Sequence, residues 1–245
     1  IIFSFFRNSV SEKRNRAGGL FALNFTKHFV LTVILLGTVL VGLGQRSNIT
    51  IGTAATSGGS WSPALGNYNT TYTFTPNQNN ATIKVADLVS ILKDYYSNAI
   101  INTTCASCTQ AGQVDFATAL TTWNQTGSAF SRTLTVNGGG DVNISSAITL
   151  GFTDTRNGWP GYRAHSLSVT TAGNINVSAA INARGALDMN ANTNSMPDGG
   201  SVTLSSTVGV VRVTSQITAS GALHTGNTNL AGLTGGLSGN ISITG

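Results

Sequence analysis

The chain has 245 residues, only 9% of them charged, with 29 glycines and abundant Ser, Thr and Asn. That composition excludes intrinsic disorder, which goes with high charge and few β-branched residues, and the length fits one or two domains. Of the net charge of +5, +4 belongs to the first 44 residues, where Arg7, Lys13, Arg14, Arg16 and Lys27 face the single acid Glu12; eight bases and seven acids from Gln45 onward leave +1, which excludes a clustered basic face for nucleic acid.

Ile1 opens the chain, Met189 and Met196 are its only methionines, and Gly245 falls inside a repeat, so a fragment of a longer protein is expected. Residues 29–44 are an apolar run behind basic residues, with Gly42 and Gly44 as small side chains near a cleavage point. A charged stretch followed by a short apolar core is the pattern of a secretory signal peptide. A spanning helix needs about 20 apolar residues, so no membrane span is expected in a mature chain starting at Gln45. The export machinery is then a partner, and the place is the cell surface or outside the cell.

Residues 45–81, rich in Gly, Ser, Thr and Asn, read as a loosely structured lead-in, with a strand at Tyr72-Thr73-Phe74-Thr75 and a turn at Pro76-Asn77. Residues 82–110 read as the N-terminal cap of a β structure built from the rest of the chain. Thr82-Ile83-Lys84-Val85 is a short strand, and Asp87 can cap a short helix. Leu88, Ile91, Leu92 and Tyr95 share one helical face, suited to covering the open end of a strand stack. Cys105 and Cys108 are the only cysteines. In an exported chain a local disulfide ranks first for them, then free thiols, redox chemistry and metal. A zinc site needs about four ligands, and His28, His165 and His224 show no spacing that completes one, so no metal and no cofactor are expected.

From about residue 111 to the end a repeat governs the chain. Val142-Asn143-Ile144-Ser145 returns as Ile175-Asn176-Val177-Ser178 and as Val211-Arg212-Val213-Thr214. A looser copy is Val114-Asp115-Phe116-Ala117, and Ile241-Ser242-Ile243-Thr244 reads as a cut-off copy. Steps between copies are 28, 33, 36 and 30 residues. An L-x-V triplet precedes three of them, at Leu134, Leu167 and Val202, and a further apolar position follows at Leu120, Ile148, Ile181 and Ile217.

Alternation makes one side of each strand apolar, and a single copy cannot bury that side. Stacking does, and periods of 20–50 residues signal solenoids or propellers. No hairpin turn recurs at blade spacing. The expected fold is therefore all-β: a right-handed parallel β-helix with a short N-terminal capping helix. Phe116, Ile144, Val177, Val213 and Ile243 would form one internal ladder. The long segments after Gly151 and Gly185 are loops leaving one corner, and the first carries Trp159, Tyr162, Arg163 and His165 as a candidate ligand contact.

Four elements resemble the filamentous haemagglutinin-type exoproteins of bacteria: Ile83-Lys84-Val85-Ala86-Asp87-Leu88, Ala111-Gly112-Gln113-Val114, Gly140-Asp141-Val142-Asn143-Ile144 and Ala172-Gly173-Asn174-Ile175-Asn176-Val177. The resemblance spans roughly residues 82–245. It implies a large secreted or surface-held β-helical rod used in adhesion, with a surface, glycan or protein as ligand. The NPNG-type signature of that group's secretion domain is absent, so the resemblance does not specify the export route.

No catalytic set converges in the sequence, and an enzyme is not expected. A polysaccharide-active β-helix would want paired carboxylates or a carboxylate–cation cluster, and the candidate pairing is Asp154 with Arg156. An ice-binding face would want unbroken threonine columns, but Ser168 interrupts Thr135 and Thr203, and Asn182 interrupts Thr149 and Thr218. The sequons at Asn143 and Asn176 fall inside strands, not on the exposed loops that glycans require.

Overall fold

The computed structural model describes residues 45–122, 131–151, 164–185, 198–221 and 237–245, all within one compact unit, Gly44–Gly245. The leader and its apolar run 29–44 lie outside the described residues. The fold is mostly β. Its first part holds β1 (Ile49–Gly52), β2 (Gly59–Ser62), β3 (Thr71–Pro76), β4 (Ala81–Lys84), a short helix α1 (Val85–Val89) continuing as a π-helical turn (Ser90–Asp94), and β5 (Asn98–Asn102). The chain then runs in groups of three strands. These are β6 (Val114–Phe116), β7 (Leu120–Thr121) and β8 (Thr133–Asn137), then β9 (Val142–Ile144), β10 (Ile148–Thr149) and β11 (Ser166–Thr171). They continue with β12 (Ile175–Val177), β13 (Ile181–Asn182) and β14 (Val202–Ser206), and end with β15 (Val211–Val213), β16 (Ile217–Thr218) and β17 (Ile241–Thr244).

Each group gives one strand to each of three sheets. The orders are β15-β12-β9-β6-β1-β4, β16-β13-β10-β7 and β17-β14-β11-β8-β5-β3-β2. Neighbouring strands pair in parallel except β2 with β3, which is antiparallel. Registers put like on like. Ile51, Phe116, Ile144, Val177 and Val213 form one inward row, and Leu120, Ile148, Ile181 and Ile217 form a second. Phe74, Ile101, Val136, Val169, Leu204 and Ile243 form a third. Apolar residues from all three sheets join a single buried cluster.

Three expectations change. The final Ile241-Ser242-Ile243-Thr244 is not a copy of the V-x-I strand. It pairs with β14, Ile241 beside Val202 and Ile243 beside Leu204, so Ile243 continues the L-x-V row and not the row of Phe116. The lead-in is not loose: β1 lies between β6 and β4, with Ile49 and Ile51 fully buried. The helix starts at Val85 with Lys84 before it and no side-chain cap. Asp87 instead accepts the Thr56 hydroxyl, and Thr56 Oγ1 accepts the Lys84 N–H at 2.9 Å. A neighbouring loop thereby ties down the helix start, while Asp87 keeps the favourable acidic place in its first turn. The expected apolar face is real: Leu88, Ile91 and Leu92 are fully buried in the core, directly after β4, the outermost strand of the first sheet.

Glycine columns make the corners between strands possible. A Cβ on Gly173 would sit 2.4 Å from the Gly140 carbonyl carbon, and one on Gly209 would sit 2.7 Å from that of Gly173. One on Gly200 would meet the His165 carbonyl at 2.0 Å, and one on Gly239 that of Gly200 at 2.1 Å. Backbone cannot yield as a flexible side chain can, so only glycine lets neighbouring repeats close to strand spacing there. Gly52 differs, because a Cβ there meets only Thr118 at 3.9 Å and Thr50 at 4.0 Å.

Urea unfolding of the full chain tests both the inward row and the glycine corners. Ile144→Ala should cost about 2–5 kcal/mol, the usual range for a buried Ile truncated to Ala; a loss under about 1 kcal/mol would contradict the inward row. Gly173→Ala should cost about 1–3 kcal/mol through overpacking, while Gly52→Ala should be neutral or stabilising by up to about 1 kcal/mol.

Candidate functional site

The polar residues of the repeat motif are the first chemistry to place. In Gly140-Asp141-Val142-Asn143-Ile144-Ser145, each polar side chain bonds to an adjacent repeat. At the corner, Asp141 Oδ1 accepts the Asn174 N–H at 2.7 Å, and Asn174 Oδ1 accepts the Val210 N–H at 3.1 Å. Asn48 Oδ1 accepts the Gln113 N–H at 2.9 Å in the same way. Mid-strand, Asn143 Nδ2 donates to Asp115 Oδ1 at 2.7 Å and Asn176 Nδ2 to Asn143 Oδ1 at 2.9 Å. After the strand, Ser145 Oγ donates to the Phe116 carbonyl at 3.0 Å and Thr214 Oγ1 to that of Val177 at 3.2 Å. The motif that dominates the sequence is thus structural glue. Its asparagine amides are engaged with one another, consistent with sequons that arise from composition.

Cys105 and Cys108 form a disulfide, and both are buried. The Cys108 N–H donates to the Cys105 carbonyl at 3.3 Å, and the Cys105 N–H to that of Gln45 at 2.9 Å, so the bridge closes a small loop held against the start of the described chain. Among the described residues no three His, Cys, Asp or Glu side chains gather as a metal site would need, and no helix is long and apolar enough to cross a membrane.

Of the candidate ligand contacts, Trp159, Tyr162 and Arg163 lie outside the described residues, as do Asp154 and Arg156. His165 is described, and it is not a displayed side chain. It is 3% exposed, and its Nδ1 accepts the Arg132 N–H at 3.1 Å. Burial, then the charge of Arg132, lowers its pKa to about 4, so the ring is neutral near pH 7 and serves as a fixed acceptor. Its position immediately ahead of β11 explains the burial, because β11 is a central strand of the third sheet.

The threonine columns sit in register as the spacing predicts. Thr135, Ser168, Thr203 and Ser242 make one outer row, and Thr121, Thr149, Asn182 and Thr218 another. Beside the second row, Thr149, Asn182, Arg184, Gln216 and Thr218 line an open cleft of about 430 Å³. Sequence reading passed over this cleft, because Arg184 stands two residues past a repeat strand and looks like an isolated surface charge. Its Nε is shut off from solvent and has no hydrogen-bond partner. Asn182 Oδ1 accepts the Arg184 backbone N–H at 3.0 Å. The segments 152–163, 186–197 and 222–236 follow Gly151, Gly185 and Gly221 in sequence, immediately after the residues that form this part of the fold.

No known protein family, curated protein or solved structure matches the chain.

The buried imidazole gives stability a pH dependence with a definite sign. Its folded pKa of about 4 lies below the ordinary 6.5, so the unfolded chain binds the proton more readily. The contribution is complete above about pH 6.5 and is lost progressively as pH falls towards 4, with a limit of about 3 kcal/mol. Urea midpoints at pH 7 and pH 4.5 should differ less in His165→Gln, which retains an acceptor, than in the parent chain. Equal pH dependence in both would refute the assignment.

Proposed function

We propose that the three sheets close into a right-handed parallel β-helix and that the chain is a secreted or cell-surface structural and adhesive protein, like the filamentous haemagglutinin-type exoproteins it resembles. The observation that carries this reading is the addition of one strand per repeat to each of three parallel sheets, all feeding one buried cluster. A coil that returns to the same sheet every third strand is the simplest path for such a chain. The right-handed sense follows the strong preference of parallel crossovers.

Secretion is supported by the leader, with its short apolar run behind basic residues, and by the Cys105–Cys108 disulfide, which belongs in an oxidising compartment. A mechanical and adhesive role is supported by the hydrogen-bonded columns, which spend the motif's polar side chains on cohesion between repeats. Binding then falls to the outer rows and to the long segments between repeats.

Expression of the whole chain in a bacterial host tests both parts. The protein should be recovered outside the cytoplasm with its first residue at or near Gln45, and beads coated with it should adhere to cells or glycan-coated surfaces above albumin-coated beads. Retention in the cytoplasm with the leader intact, together with adhesion no better than albumin, would overturn the reading.

A further inference from the structure

We propose that the cleft at Arg184 binds an oxyanion carried by a polysaccharide, either the carboxylate of an acidic sugar or a sulfate ester. The inference deepens the adhesive reading and rests on it for a polymeric ligand; the site itself rests on the geometry of the cleft.

Among the described residues, the cleft is lined by one cation and no acid. Its described polar lining is Thr149, Asn182, Gln216 and Thr218 around Arg184, and none of these is a carboxylate. The guanidinium is a flat fork of donors that matches a carboxylate or sulfate in two parallel hydrogen bonds. Nε itself is shut off from solvent, while the residue as a whole is only half-buried, so an oxyanion in the open cleft would meet the donors at the tip of the fork. Asn182 commits its carbonyl oxygen to the backbone of Arg184, which leaves its amide NH₂ as a further donor. Threonine hydroxyls stand one repeat to either side, in register with Asn182.

These neighbours define the rest of the ligand. Hydroxyls and amides are the groups that exchange hydrogen bonds with sugar hydroxyls, and a single cation balances one negative charge in the bound stretch. The row Thr121–Thr149–Asn182–Thr218 repeats at strand spacing, about 4.8 Å, and gives a polymer a line of donors and acceptors on which to lie. Arg132 offers no comparable site, because its Nη2 already donates to Asn69 Oδ1 at 2.8 Å. Arg212 is exposed on a different sheet, which makes it a control of equal charge.

The test is biosensor binding of the full chain to polygalacturonate, dextran sulfate and neutral dextran, at fixed ionic strength. The expected result is binding to a charged polymer and not to neutral dextran. A preference for polygalacturonate identifies the carboxylate, and a preference for dextran sulfate the sulfate. Arg184→Gln should weaken binding at least tenfold, Arg184→Lys should restore part of it, and Arg212→Gln should stay within twofold of the parent. Circular dichroism matching the parent shows that each variant is folded. Absence of binding to both charged polymers overturns the cleft, as does equal weakening by Arg184→Gln and Arg212→Gln, which marks diffuse charge attraction. If either occurs while beads coated with the parent chain still adhere to cells, the cleft fails and the adhesive reading stands. If adhesion fails while polymer binding depends on Arg184, the cleft stands and the adhesive reading fails.

Discussion

A parallel strand of two or three residues cannot hold itself in place, and the structure depends on how each one is held by its equivalent one repeat away. Backbone pairing supplies part of this. The rest comes from side chains, and the short motif packs three kinds of inter-repeat bond into six residues. The corner Asp or Asn accepts a backbone N–H, the strand Asn joins an amide row, and the following Ser or Thr donates to a carbonyl. Each such bond contributes about 1 kcal/mol net, less than a buried apolar side chain at roughly 1.5–3 kcal/mol. Their larger effect is on register. A one-residue slip would turn every inward Val or Ile outward, and would also break each corner bond at once.

The same constraint explains the glycines. Corner residues of successive repeats approach so closely that a Cβ would collide with backbone at Gly173, Gly200 and Gly239. The polar motif and the glycine columns are therefore two halves of one device: glycine admits the close approach, and an adjacent polar side chain bonds across it, Asp141 and Asn174 at the Gly173 corner and Ser201 at the Gly200–Gly239 corner. At the other end of the stack, β4, α1 and the β2–β3 pair stand in place of a further repeat. The helix contributes Leu88, Ile91 and Leu92 to the core where another set of three strands would otherwise do so.

Most of this was legible because the inward positions recur with the same residue types. Val142, Ile175 and Val211 align on their repeats alone, and they are register partners. The end of the chain misled because Ile241-Ser242-Ile243 matches the V-x-I strand and the L-x-V strand equally well as an apolar–polar–apolar triplet. Only pairing with Val202 and Leu204 distinguishes them. The beginning was missed for the opposite reason. Asn48-Ile49-Thr50-Ile51 fits the corner-plus-strand pattern, but Gly- and Ser-rich sequence surrounds it and the next strand of that sheet in sequence, β4, lies on its far side. His165 looked like a loop residue and proved buried, since a histidine at the edge of an insertion belongs to the strand as readily as to the loop. Arg184 carried no sequence signal, because an unpaired guanidinium nitrogen is a property of packing and not of composition.

Cohesion and recognition fall to different residues, and this follows from the stack itself. Where Asn143, Asn176 and Ser145 bond within the fold, their capacity to bond a ligand is already used. Where the columns are made of Thr149, Asn182 and Thr218, the strands are only two residues long and Asn182 turns to its own neighbour's backbone, leaving hydroxyls and an amide NH₂ on the outer side. A repeat protein with few charges cannot steer a ligand by its overall field, since +1 from Gln45 onward is nearly neutral. A single cation placed among neutral hydrogen-bonding groups then matters more than it would on a highly charged surface, because among the described residues that line the cleft no other charge competes with it for an anion. The scarcity of charge that marks the composition is thus also what would let one arginine act as the selective element of a surface otherwise given over to holding its repeats together.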